Sequence, residues 1–371
     1  MADYQLAYLQ TTHDFSSLPF KYGQLHQLVK LTPFLSGQRC QLLFSNRYGE
    51  RPLHFDRVAV ADNPQMENAV AVTFQGSWSL TLPEGSHLLP SDSIDWPTQA
   101  GRPLYVEMVA RESQSYADFA CTYATGWVNA AITRRSDFCP RLPDTWHARH
   151  GWVCLDGLKV LTGAHPRYLE LTGDSLAETG MVAQELFCQL VSHYPEKLVA
   201  INTGISGNRL LHDAPQDEPL FATYGQSLIS RLQDSQLPFD LRVALIGSND
   251  LLLPVYSEQA KAETHDLTSL CQGFLRLAQL GNLLTTTVPP FRLFKGKLSS
   301  TEKELNHTRL VLNHCLAQHA FVVDTAHLVA NQDNNALTAT MDFCDGMHLS
   351  PQGGSVVANA LLSKIEAALF R

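Results

Sequence analysis

Two textures divide this chain. From about Tyr22 to Leu158, apolar and polar positions alternate with period two: Cys40, Leu42 and Phe44 are interleaved with Arg39, Gln41 and Leu43, and Trp78, Leu80 and Leu82 with Ser79 and Thr81. That period suits strands with one buried face. Turn-forming residues recur at short intervals, at Tyr48-Gly49, Asn63-Pro64, Pro83-Glu84-Gly85 and Gly101-Arg102-Pro103. The strands should therefore be short and antiparallel, and the first part of the chain is expected to be a β-sandwich.

From Pro166 onward the pattern changes to short apolar runs separated by helix-length segments. Strands are expected at Arg167 to Leu171, Leu198 to Ile201, Val243 to Ile246, Leu283 to Val288 and Phe321 to Val323. After the first of these, Val182, Leu186 and Leu190 recur every four residues, marking one stripe of a helix that runs to about Tyr194 and is closed by Pro195. Ser350-Pro351 opens a last helix with Val357, Leu361 and Ile365 along one face. Regular alternation of strand and helix implies parallel pairing through right-handed crossovers, and an α/β sheet covered by helices on both faces. The expected division is a sandwich domain over residues 1–163 and an α/β domain over 164–371.

Composition narrows the function classes. With 371 residues, 44% of them hydrophobic, the chain can fill two ordinary domain cores. A formal net charge of −9 argues against a nucleic-acid partner, because phosphate-binding surfaces are basic. The eight cysteines (Cys40, Cys121, Cys139, Cys154, Cys188, Cys271, Cys315, Cys344) form no C-x-x-C pair and no Cys/His spacing suited to zinc. They are expected to be mostly reduced core residues, with Cys188 and Cys315 inside apolar runs, and neither a metal nor a cofactor is expected. The start, Met1-Ala2-Asp3-Tyr4, has neither a basic segment nor an apolar core, and no later run could span a bilayer. The expectation is a soluble cytoplasmic protein with no membrane partner; the oligomeric state is not legible.

The candidate chemistry begins where the first α/β strand gives way to a helix, at Gly173-Asp174-Ser175-Leu176. At such a junction unpaired backbone N–H groups gather, favouring a developing oxyanion. Two readings stand for Ser175: a nucleophile that needs a base, or a simple helix cap. Three further motifs also fall just after expected strands, where α/β sheets carry their sites. They are Asn202-Thr203-Gly204-Ile205-Ser206-Gly207-Asn208-Arg209, Gly247-Ser248-Asn249-Asp250 and Asp345-Gly346-Met347-His348. The N–H of Gly207 and the amide of Asn249 could join the Ser175 N–H as three oxyanion donors, or serve only a turn and a helix cap. Asp345 stands three residues before His348 in a glycine-containing turn, a spacing that lets the carboxylate hold the imidazole, or that marks an incidental surface turn.

These four motifs, in this order, resemble the SGNH (GDSL) hydrolase family across the whole C-terminal part. The resemblance implies a three-layer α/β/α, flavodoxin-like sheet. It also implies a triad of Ser175, His348 and Asp345, and an oxyanion hole made by Ser175 N–H, Gly207 N–H and the Asn249 side chain. The N-terminal half, with Gly23-Gln24-Leu25-His26-Gln27-Leu28-Val29 and Leu43-Phe44-Ser45-Asn46-Arg47-Tyr48-Gly49, resembles the jelly-roll-like sandwich of a xylan-esterase-like branch. That branch also shares the run from Gly204 to Asp213. This second resemblance implies an acylated carbohydrate, and hence a small-molecule or oligosaccharide ester as partner. Asp174, Asn208, Arg209, His212 and Asp213 become candidate substrate contacts, with a structural Arg–Asp ion pair as the alternative. A serine esterase leads. An acyltransferase or lipase-type esterase with the same triad, and an inactive carbohydrate-binding relic, remain as alternatives. A G-x-S-x-G elbow is excluded, because Ala177 stands at its last glycine.

Overall fold

The computed structural model describes residues 2–133, 147–148, 151–235, 237, 239–263, 266–293 and 296–370; Cys139 lies outside them. The chain divides into two compact units, Met1–Arg167 with Phe187–Ile201, and Tyr168–Leu186 with Asn202–Arg371.

The first unit carries antiparallel sheets. One sheet takes Asp3–Leu9, Leu155–Thr162, Cys40–Asn46 and Ser86–Pro90 in that order. A larger one runs His147–Ala148, Asn129–Thr133, Leu25–Leu31, Leu104–Ala110, Arg57–Ala61, Val70–Ala71. In Cys40–Asn46 the alternation is incomplete: Leu43 is buried along with Leu42 and Phe44, so both faces of that strand are covered. Trp78 departs from expectation more clearly. The strand starts only at Leu80, after the Phe74/Ser77 bridge, and leaves the indole 67% exposed.

The parallel sheet has five strands: β1 (Arg167–Gly173), β2 (Leu198–Asn202), β3 (Leu241–Leu245), β4 (Leu283–Thr286) and β5 (Val322–Val323). Their spatial order is β2-β1-β3-β4-β5, which reverses direction beside β1. Ligand crevices of doubly wound sheets open at such a reversal. Strand ends follow from hydrogen bonding. Leu245 gives its carbonyl to Asp174 N–H, after which Gly247 starts a helix. β4 stops short of Val288 because that N–H is taken by the Asn313 side chain at 2.8 Å. The strands are buried on both faces, as parallel strands require. Glu170 is tolerated inside β1 because Arg242 and Thr203 satisfy its two oxygens at 2.8 and 2.6 Å.

The connecting helices include α1 (Ser175–Glu178), α2 (Met181–His193), α3 (Leu228–Asp234), α4 (Ser248–Leu252), α5 (Leu267–Ala278), α6 (Ser300–Leu316) and α7 (Pro351–Phe370). Val182, Leu186 and Leu190 of α2 are fully buried, as their spacing predicts. Cys188 lies among them in sequence yet is exposed, since it falls on the opposite side of the helix; Cys344 is exposed as well. Leu228 of α3, Ala244 of β3, Phe274 of α5 and Leu312 of α6 share one core. α7 buries Val357, Leu361 and Ile365 and packs on β3 and β5. Among the described residues, no helix is long and apolar enough to cross a membrane.

Candidate active site

Ser175 is the first residue of α1, and Asp174 is its cap. The Asp174 carboxylate accepts from Leu176 N–H at 2.9 Å, so the capping task falls to the aspartate and leaves the serine hydroxyl available. That hydroxyl lies 2.8 Å from His348 Nε2, and His348 Nδ1 lies 2.6 Å from Asp345 Oδ2. An ionised carboxylate only accepts, so Nδ1 carries the proton and Nε2 presents its lone pair to the serine O–H. Asp345 remains ionised readily. Partial burial pushes its pKa up, but the His348 N–H, the imidazole and the Met347 N–H outweigh that and hold it below the ordinary carboxylate value.

The loop that delivers His348 is tied at both ends. Asp342 and Leu349 form an antiparallel bridge, and Phe343 N–H donates to the His348 carbonyl at 2.9 Å. Asp342 Oδ1 accepts from Gly346 N–H at 3.0 Å, and the Gly346 carbonyl takes the Arg292 N–H at 2.8 Å. Ser350 then anchors α7 through Gly353 N–H, at 3.1 Å. At Gly354 the helix lies directly against the Met181 carbonyl, an approach that any Cβ would block, and this brings the loop beside α1. Among the described residues, one other complete Asp-x-x-His run, Asp324 to His327, forms its own 3.2 Å pair with both side chains more than half exposed. Spacing alone does not separate the two pairs; only His348 is carried to Ser175.

The candidate oxyanion donors gather on the same side. Gly204 sits against Glu178 N, and Glu178 Oε2 accepts the Ser206 N–H at 2.6 Å, which docks the glycine loop on α1. Asn202 adds its own bond to the Ala177 carbonyl at 2.8 Å. Asn249, at the start of α4, donates to the Asn208 carbonyl at 3.1 Å, which places its amide beside the Asn208–Arg209 peptide, one residue beyond Gly207. Among the described residues, the N–H groups of Ser175 and Gly207 have no protein acceptor. Glu178 and Asn202 were missed by sequence reasoning. The available signal was the placement of a carboxylate and an amide where the pattern is otherwise buried.

The candidate substrate contacts are largely committed elsewhere. Asp174 and Asn208 are wholly buried; the Asn208 amide donates to the Tyr224 and Gln226 carbonyls at 2.8 and 2.7 Å. Arg209 is buried and paired with Glu263 at 2.8 Å, and it also donates to the Asp213 carbonyl. The Asp213 carboxylate accepts from Ser227 N–H at 2.8 Å, while His212 is half-buried. The expected Arg–Asp side-chain ion pair is therefore an Arg–Glu pair. Among the described residues Asp174 Oδ2 has no partner, and burial pushes that carboxyl up to about 7.

No protein-family model and no curated protein matches the chain. Solved structures do. A GDSL-like lipase from Bacteroides thetaiotaomicron shares 18% identity with TM-score 0.36, covering 55% of this chain and 89% of its own. Axe2, an acetylxylan esterase from Geobacillus stearothermophilus, shares 20% with TM-score 0.37, covering 54% and 95%. A carbohydrate acetylesterase family member from Sinorhizobium meliloti shares 19% with TM-score 0.39, covering 55% and 99%. The match lies in the C-terminal part of the chain. Its low scores leave the chemistry to be read from Ser175, His348 and Asp345 themselves.

Proposed function

We propose that the protein is a serine esterase of SGNH type that removes short acyl groups, acetyl foremost, from carbohydrate esters. The observation that carries this reading is the relay from Ser175 Oγ to His348 Nε2, at 2.8 Å, and from His348 Nδ1 to Asp345, at 2.6 Å. Ser175 attacks the ester carbonyl as His348 takes its proton, and Asp345 steadies the imidazolium. The tetrahedral oxyanion accepts from Ser175 N–H, Gly207 N–H and the Asn249 amide, each donor worth about 3–4 kcal/mol of transition-state stabilisation. Collapse expels the sugar alkoxide, which receives the proton from His348; water, deprotonated by the same base, then frees the acyl-enzyme.

The carbohydrate assignment rests on the sequence run Gly204 to Asp213 and on the N-terminal motifs. In this reading residues 1–163 are a jelly-roll-like sandwich domain and residues 164–371 a three-layer hydrolase domain acting in the cytoplasm. Asp174, Asn208 and Arg209 shape the site from within the protein, while the half-buried His212 and the exposed Asp213 are the substrate contacts.

Replacing Ser175 with alanine should abolish turnover of a short-chain aryl ester and labelling by a fluorophosphonate. Undiminished turnover in S175A would overturn the assignment. Chain-length preference tests the substrate class, since a strong preference for long acyl chains is incompatible with sugar acetates.

A further inference from the structure

Arg231 sits on α3 beside the buried Leu228, Ile229 and Leu232, a cation on an otherwise apolar turn. Its guanidinium reaches three separate segments around Ser175. One nitrogen donates to the Thr203 carbonyl at 2.8 Å; the other donates to Asn208 Oδ1 at 2.8 Å and to the Gly173 carbonyl at 3.3 Å. Gly173 ends β1 two residues before the nucleophile. Thr203 opens the loop that carries Gly207, and Asn208 follows Gly207 directly.

The connections continue beyond those three acceptors. The Gly173 carbonyl also takes the Ile205 N–H at 3.0 Å, so strand and loop meet at the atom Arg231 holds. Asn208, fixed by Arg231 on its carbonyl oxygen and by two backbone carbonyls on its amide, presents its own main-chain carbonyl to Asn249. All three candidate oxyanion donors are thus one or two residues, or one hydrogen bond, from a residue that the guanidinium grips.

We propose that Arg231 is a positioning residue that keeps the Ser175, Gly207 and Asn249 donors in register, so that turnover depends on a cation acting only through the backbone and Asn208. The inference rests on the esterase reading above. The planar fork of arginine meets three acceptors that a single ammonium nitrogen cannot reach together. Displacing an oxyanion donor by about 1 Å costs on the order of 100-fold in rate, so losing the clasp should slow acyl transfer by about 10- to 100-fold.

The test compares wild type, R231Q and R231K on a short-chain aryl ester, with active serines counted by fluorophosphonate titration. The expected result is kcat per titrated serine down by about 10- to 100-fold in R231Q with KM within about threefold, and a parallel loss of affinity for a boronic acid that forms a tetrahedral adduct on the serine. R231K should remain at least about tenfold down, because charge without the fork does not restore three bonds. R231K also carries the test if R231Q does not fold. Wild-type kcat per titrated serine in R231Q, or full recovery in R231K, would overturn the inference while leaving the esterase intact. A wild-type chain that neither hydrolyses the ester nor labels at Ser175 would remove the esterase reading, and this inference with it.

Discussion

Adding one methyl group at Gly207 should separate binding from chemistry. The residue has φ of +79°, a left-handed conformation that costs a non-glycine residue roughly 1–2 kcal/mol. A Cβ built there falls against Cγ, Cδ1 and Cδ2 of the Tyr224 ring, closer than real Cβ atoms come. Tyr224 is half-buried and packs against Phe221 with centroids 5.7 Å apart, so the ring has little freedom to withdraw. To restore carbon–carbon contact of about 3.5 Å, the loop or the ring must move by about 1 Å or more. Loop movement carries the Gly207 N–H away from the oxyanion. G207A should therefore lose about 10²- to 10³-fold in kcat with KM changed less than about threefold. Stability should fall by about 1–3 kcal/mol, a few degrees in Tm for a domain of this size. Steady-state kinetics on an aryl acetate and thermal unfolding measure the two effects. G163A is the control, because a Cβ at Gly163 meets nothing within 4 Å. A folded G207A with wild-type kcat would refute the assignment of that N–H as an oxyanion donor.

Two other predictions follow from the same site. D345N removes the acceptor that fixes the His348 tautomer, and kcat should drop by about 10²- to 10⁴-fold, toward the smaller figure because Asp345 is 38% exposed and water can partly replace it; wild-type kcat in D345N would show that His348 needs no orienting group. For Asp174 the sign follows from its folded value of about 7 against an ordinary 3.8: between these pH values the native state holds a proton that the unfolded chain has released, so stability falls as pH rises through that window. D174N keeps a capping oxygen and removes the titration, so the stability gap between wild type and D174N in urea should shift in favour of the variant from pH 4 to pH 7; a gap independent of pH would contradict the buried acid.

Much of the α/β part was legible because its signals are local. Strand runs of apolar residues and the four-residue spacing of Val182, Leu186 and Leu190 arise from burial that each element needs by itself. Ser175 stood out as a candidate because it follows β1 directly, whereas Asp345 and His348 lie well beyond β5, past a further helix at Ala326–Val329, and were marked only by their spacing in a glycine-containing turn. What sequence could not supply was where polar groups spend their hydrogen bonds. Arg209, Asn208 and Asp174 read as surface chemistry in a polar loop, yet folding turns them inward onto carbonyls, N–H groups and Glu263. Arg231 carries no local sequence signal, since its three acceptors are separated from it by between 23 and 58 residues. Trp78 misled in the opposite direction, because a hydrophobic residue in phase with a strand need not belong to it.

The proposed nucleophile and its proposed base stand 173 residues apart along the chain. Ser175 is synthesised before β2 to β5 and His348 after all of them, so on the esterase reading a nascent chain carries no hydrolytic activity until every strand of the parallel sheet has been made. On that reading, a nick or truncation that frees the segment ending in α7 should silence the proposed esterase even where the serine remains in place, and turnover would report complete folding.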